Sequence, residues 1–184
     1  MSATELCETT GMTARRSQVM IILAVFLFVL VCDQVTKTII THTIPENSVS
    51  FVGKEREFFF FTHQRNPGLV GGMFSEIPYV AYVAPLLATL VLIYLYRHLD
   101  PASRLQTVAY GMIAGGALGN LVDRFFRDGG VVDFLQFQFW FVPFDFPWKT
   151  YPAFNVADSA ICVGVFLLLV GWRGPSEDNA PSTT

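Results

Sequence analysis

Asp133 follows Val131-Val132 and precedes Phe134, with no basic residue beside it. Apolar surroundings disfavour a carboxylate charge, so this group is expected to hold its proton to higher pH than usual. Asp158 stands in Phe154-Asn155-Val156-Ala157-Asp158-Ser159, apolar except for Asn155 three residues earlier on the same helical face. Two such carboxylates brought together share one proton, because both cannot ionise in close contact. A shared proton leaves one base and one acid, which suits peptide hydrolysis without a metal or a Ser or Cys nucleophile. Taken singly, either residue is more often a cap or an ion-pair member than a catalyst, and Asp158 could simply cap its helix.

Other charged groups cluster nearby in sequence. Asp33 and Lys37 are four apart, so one helix face carries both and they can pair. Asn120, Asp123 and Arg124 share a face at the end of another apolar stretch, and Asp123 beside Arg124 reads as a fixed ion pair. His42, His63 and His98 are scattered, no H-E-x-x-H run occurs, and no cysteine pair has metal-ligand spacing, so no metal or other cofactor is expected. Cys7 lies in a polar segment while Cys32 and Cys162 lie in apolar ones, which argues against a disulfide framework.

The elements that must position these groups belong to a membrane protein. The chain is 52% hydrophobic and 15% charged, with a mean hydropathy of +0.45, too apolar for an ordinary soluble domain of 184 residues. The net charge of -3 is spread thinly and no basic stripe exists, so no nucleic-acid partner is expected. We read a single all-α membrane domain, a four-transmembrane-helix bundle with a small extracytoplasmic β-rich segment and an aromatic interfacial loop. Its spans fall at about 17–40, 77–96, 105–123 and 154–172, between polar tails at 1–16 and 173–184. A cleaved signal peptide is the rival for the first span, but Val29-Leu30-Val31 before Cys32 is no small-residue cleavage site.

Outer segments occupy 41–76 and 124–153. The first suggests short strands at Phe51-Val52 and Phe58 to Thr62, then turns at Asn66-Pro67-Gly68 and Gly71-Gly72. The second crowds Phe134, Phe137, Phe139, Trp140, Phe141, Phe144, Phe146 and Trp148 together, either lying in the headgroup zone or plugging the bundle. Arg15, Arg16, Arg97, Arg104 and Arg173 flank the opposite ends of the spans, which places both termini inside by the positive-inside rule. Gly111, Gly115 and Gly119, four residues apart, form a stripe for close helix packing.

In these residues the chain resembles the lipoprotein signal peptidases, or signal peptidase II, which are bacterial membrane aspartic peptidases. The resemblance rests on Asp33-Gln34-x-x-Lys37, Asn66-x-Gly68, Gly115-Gly116-Ala117-x-Gly119-Asn120-x-x-Asp123-Arg124, Val131-Val132-Asp133-Phe134 and Phe154-Asn155-x-Ala157-Asp158-Ser159, five motifs in order. It implies cleavage of a diacylglyceryl-modified prolipoprotein just before its lipidated cysteine, at the outer face of the cytoplasmic (inner) membrane. It also implies Asp133 and Asp158 as the catalytic pair, with Asp123 as the second choice for a catalytic carboxylate. Asn66, Gly68, Asn120, Arg124, Asn155, Asp33 and Lys37 match the family's surrounding polar positions. The expected partners are the lipidated prolipoprotein and membrane lipid, with the chain acting as a monomer. Leu69-Val70 departs from the small residues usual after the Asn-x-Gly motif and bears on pocket shape.

Two other readings compete. An ion or proton conduit would distribute polar groups through membrane depth, whereas here they cluster at one end. A scaffold binding through its glycine stripe would leave the aspartates unexplained.

Overall fold

The computed structural model describes residues 3–50, 58–69, 73–77, 79–139, 141 and 149–171, with side chains from residue 12 onward. The expectations placed on Phe51, Val52, Val70, Gly71, Gly72, Trp140, Phe144, Phe146, Trp148 and the tail 173–184 lie outside the described residues. The described elements run α1 (Ala3–Thr43), β1 (Val49–Ser50), β2 (Phe59–Asn66), α2 (Val80–Tyr96), α3 (Arg104–Phe126), β3 (Val131–Phe137) and α4 (Val156–Gly171).

Helix α1 has 41 residues, about 60 Å at 1.5 Å per residue. Its stretch Met12–Thr43 is, among the described residues, the one helix long and apolar enough to cross a membrane by length and composition. Leu27, Phe28 and Val31 on it point outward, which suits a lipid surrounding. Helices α2 and α4 are apolar and shorter, 17 and 16 residues. Helix α3 starts where Ser103 Oγ accepts from the Gln106 N–H at 3.3 Å, satisfying one of the free donors of a helix start.

Helix α3 lies between α1 and α4, and glycines set the approach on both sides. A Cβ at Gly111 would meet Val25 Cβ at 2.9 Å, and one at Gly115 would meet the Phe26 carbonyl at 2.7 Å, so the expected stripe lies on α1. On the other side, a Cβ at Gly116 would stand 2.5 Å from the Ala157 carbonyl, and one at Gly164 would stand 2.7 Å from Ile113. Helix α2 docks on α3 more loosely, with the Tyr110 hydroxyl donating to the Leu92 carbonyl at 2.9 Å.

The three strands form one antiparallel sheet in the order β1-β2-β3. Strand β3 falls in the segment 124–153, read from sequence only as an aromatic loop, and it joins that segment to the first outer one. Asn66 pairs with Val131, Arg65 with Val132 and Gln64 with Asp133, and an irregularity between Phe61 and Gln64 shifts the register. Val131, Val132, Asp133 and Phe134 are all buried, so β3 is covered on both faces and cannot show the alternation by which a half-exposed strand is read. Val132 and Phe134 pack with Ile40 and Ile44 at the end of α1, which puts Phe134 in the protein interior. Phe137 instead meets Phe58, Phe59 and Phe154 at ring separations of 5.1, 5.2 and 5.8 Å.

Candidate active site

Asp133 and Asp158 come from different elements, β3 and the first turn of α4, and Asn155 ties them together. Its Nδ2 donates to Asp133 Oδ1 at 2.8 Å, while its backbone N–H donates to Asp158 Oδ2 at 3.1 Å. In return Asn155 Oδ1 accepts from the Asp158 N–H at 2.9 Å. This reciprocal pair is a capping box with Asn at the cap and Asp three residues on. Asp158 therefore does share in capping, and Asn155 contacts the Asp133 and Asp158 carboxylates at once.

Asp133 is 4% exposed, while Asp158 is half-buried. Burial, and after it the charge of Asp158, pushes the Asp133 carboxyl up to about 7, against the opposing hydrogen bonds from Asn66 and Asn155. Asn66 reaches it from the end of β2, Nδ2 to Oδ2 at 3.1 Å. Asn66 Oδ1 also accepts from the Gly68 N–H at 3.0 Å, a side-chain turn that holds Asn66-Pro67-Gly68 in place. A cleft lined by Gln64, Arg65, Asn66, Pro67, Asp133, Pro152 and Ala153 opens beside the carboxyl.

Arg124 closes another side. Its Nη1 donates to the Asn120 carbonyl at 3.1 Å and its Nη2 to the Gly68 carbonyl at 2.9 Å. Its Nε is buried without a hydrogen-bond partner among the described residues. The sequence reading of Asp123 with Arg124 as a fixed pair is thereby corrected. Asp123 pairs with Lys37 at 2.9 Å and with Arg127 at 3.0 Å, one turn along its own helix.

Under the carboxylate pair lies a closed charge cluster. Lys37, Asp33 and Asp123 each have 0% exposure. The Lys37 ammonium meets Asp33 at 2.8 Å, Asp123 at 2.9 Å and Asn120 Oδ1 at 3.0 Å, which uses its three donors. Asp33 Oδ1 accepts from the Ala157 N–H at 3.0 Å, anchoring the start of α4, and Asp123 Oδ2 accepts from the Val132 N–H at 3.1 Å, anchoring β3. Asn120 links the two layers: its Nδ2 donates to Asp158 Oδ1 at 2.8 Å, and its Oδ1 accepts from Asn155 Nδ2 at 3.1 Å as well as from Lys37. The residues singled out from sequence thus stand at one end of α1, α3 and α4.

Two members of the cluster were not singled out. Gln34 Nε2 donates to Asp33 at 3.1 Å, the Gly119 carbonyl at 3.1 Å and Asp123 at 3.2 Å, and Arg127 completes the neutral balance of two acids and two bases. The spacing of four between Asp123 and Arg127 was the available signal for the latter. Gln34 stands in the Asp33-Gln34-x-x-Lys37 motif without being named as a site residue, because an uncharged amide on an apolar helix does not announce its partners.

Residues 25–172 match the family described as Signal peptidase (SPase) II. A lipoprotein signal peptidase of Moorella thermoacetica is 36% identical over 143 residues, 77% of this chain and 85% of that protein. One of Geobacter sulfurreducens is 38% identical over 164 residues, 86% of this chain and 94% of that protein. Among solved structures, a bacterial membrane enzyme determined by the in meso method at 2.3 Å resolution superposes with a TM-score of 0.68 at 28% identity, covering 89% of this chain and 93% of its own. A second, at 1.9 Å resolution, gives 0.65 at 30% identity, covering 81% and 90%.

Proposed function

This chain belongs to the signal peptidase II family, and on that premise we propose that it is a membrane aspartic endopeptidase that removes the signal peptide of diacylglyceryl-modified prolipoproteins, cleaving before the lipidated cysteine. The observation that carries the aspartic mechanism is the Asn155 bridge. One residue contacts both carboxylates, Asp133 through its side-chain Nδ2 and Asp158 through its backbone N–H, with the more buried carboxyl raised to about 7.

Asp133 is the acid of the pair and Asp158 the base. Asp158, more open to water, takes a proton from a water molecule as that water attacks the scissile carbonyl carbon. Asp133 gives its proton to the carbonyl oxygen. The tetrahedral intermediate then collapses as the proton held by Asp158 passes to the leaving nitrogen and the hydroxyl proton returns to Asp133. Arg124 Nε, buried and without a hydrogen-bond partner among the described residues, suits a substrate backbone carbonyl, while the Nη atoms hold Gly68 and Asn120. The four helices form a bundle in the cytoplasmic membrane with both termini inside, and the site sits near the outer face where a lipidated cysteine would lie. The chain is taken to act as a monomer.

The test is single-turnover cleavage by detergent-purified protein, with a diacylglyceryl-modified prolipoprotein and its unlipidated form as substrates. Asp133→Asn and Asp158→Asn should each abolish cleavage while leaving binding largely intact, and the double variant should be hardly worse than either, because members of one catalytic unit are not additive. Asp123→Asn should affect stability before the chemical step. Full loss in Asp123→Asn with cleavage surviving in Asp133→Asn would move the pair to Asp123 and Asp158. Equal cleavage of both substrates would remove the lipid from the recognition.

A further inference from the structure

Lys37 has no place in the proton transfers just described, yet it touches the residue that touches Asp158. An ammonium donates and never accepts, so whichever end of the Asn120 amide faces Lys37 must be the carbonyl oxygen. That leaves the NH2 end facing Asp158 Oδ1 at 2.8 Å. Asn155 Nδ2 also reaches Asn120 Oδ1, but its two hydrogens are divided among Asp133 at 2.8 Å, Asn120 at 3.1 Å and the Val132 carbonyl at 3.3 Å. Lys37 supplies the charge-assisted contact, the stronger of the two. Its position is fixed by its partners: Asp33 and Asp123 take its other donors, and none of the three is exposed.

We propose that Lys37 is a positioning residue for hydrolysis, which by holding the oxygen of the Asn120 amide keeps that amide's donor end on Asp158. The inference rests on the reading of Asp158 as the catalytic base. With the amide reversed, a carbonyl oxygen would face the carboxylate, and that carboxylate would have to carry a proton to satisfy the contact. A base already protonated cannot activate water. The neutral balance of Asp33, Asp123, Lys37 and Arg127 makes the cluster a rigid floor, and the Lys37–Asn120 contact is its outlet to the site.

Lys37→Met alone would leave Asp33 and Asp123 buried with too little positive charge and endanger folding. The test therefore uses the charge-balanced pair Asp33→Asn/Lys37→Met, in which the introduced amide oxygen can still accept from the Ala157 N–H. Beside it stands Asn120→Asp, which keeps an oxygen for Lys37 but removes the donor to Asp158. In folded, detergent-purified protein both should lower kcat, the double variant at least about tenfold and Asn120→Asp more, with KM within about threefold of the parent. A role confined to stability would lower the melting temperature and leave kcat of the folded fraction unchanged. Parental kcat in either folded variant overturns the proposal, and if the double variant does not fold, Asn120→Asp decides alone. Asp158→Asn is run beside them: turnover surviving there overturns the aspartic reading itself, whereas a dead Asp158→Asn beside a fully active double variant overturns only the role of Lys37.

Discussion

Asp133 keeps its proton in the folded protein over a range in which an unfolded chain would have released it. Its carboxyl sits at about 7, against about 3.9 for a free aspartate, so between those values the folded state binds the extra proton. Stability contributed by this group is present at low pH and is lost as pH rises toward 7. Asp133→Asn mimics the protonated acid and removes that dependence. The variant should gain stability relative to the parent at pH 8 and gain little at pH 4, as measured by thermal unfolding in detergent. The acid role proposed for Asp133 would have the same sign, since it needs the proton in place: kcat should fall as pH rises through about 7, and a flat profile from pH 6 to 9 would remove Asp133 from the chemistry. Arg124 invites a different substitution. Its two Nη atoms fork to the Asn120 and Gly68 carbonyls, 3.1 and 2.9 Å away, while Nε has no hydrogen-bond partner among the described residues. A lysine offers one point of charge where the fork offers fixed directions. Arg124→Lys should lose at least about tenfold in kcat/KM although the charge is kept, and near-parental cleavage by folded protein would show that charge alone matters there.

Helix α3 carries Asn120, Asp123 and Arg124, and its glycines decide whether those side chains arrive. A Cβ at Gly119 would stand 2.6 Å from Asp33 Oδ2 inside the closed charge cluster, where nothing can yield to solvent. Gly119→Ala should destabilise the protein by roughly 1–3 kcal/mol, as overpacking of a tight interior does, and should also lower cleavage by the folded fraction. Thermal unfolding and single-turnover rates would check this, and an unaffected melting temperature would mean that α1 can move away. Gly130 sits at φ 97°, and a Cβ there would collide with the Asn66 carbonyl, so the turn into β3 depends on that glycine. How much of this the sequence disclosed follows from the physics of each element. The Asp33–Lys37 contact and the shared face of Asn120, Asp123 and Arg124 follow from helical spacing, and the glycine stripe from its period of four. Strand β3 was not legible, because a strand buried on both faces lacks alternation and its partner β2 is some seventy residues away in sequence. The true partners of Asp123 were hidden for a related reason, since adjacency to Arg124 was visible and the approach of α1 to α3 was not.

Across the whole molecule the buried charged groups Asp33, Lys37, Asp123 and Asp133 gather at one end of the helices, and the orientation of that end is open to direct measurement. A cysteine placed at the exposed Thr150 should react with an impermeant thiol reagent added outside intact cells, whereas one at the exposed Ala102, in the link between α2 and α3, should not. Labelling at Ala102 alone would invert the topology. The pairing of β2 with β3 carries one more consequence, for the order of events during synthesis. Asn66 meets its partner carboxylate only when Asp133 has been made, and Asp158 is turned into place only when Asn155 caps the last helix. A ribosome-bound chain therefore lacks the joined Asn66–Asp133–Asn155–Asp158 network until α4 has left the tunnel and docked on α3. The same dependence means that the two halves, separated at the α2–α3 link and produced together, would each be inert and would recover activity only by finding one another in the bilayer.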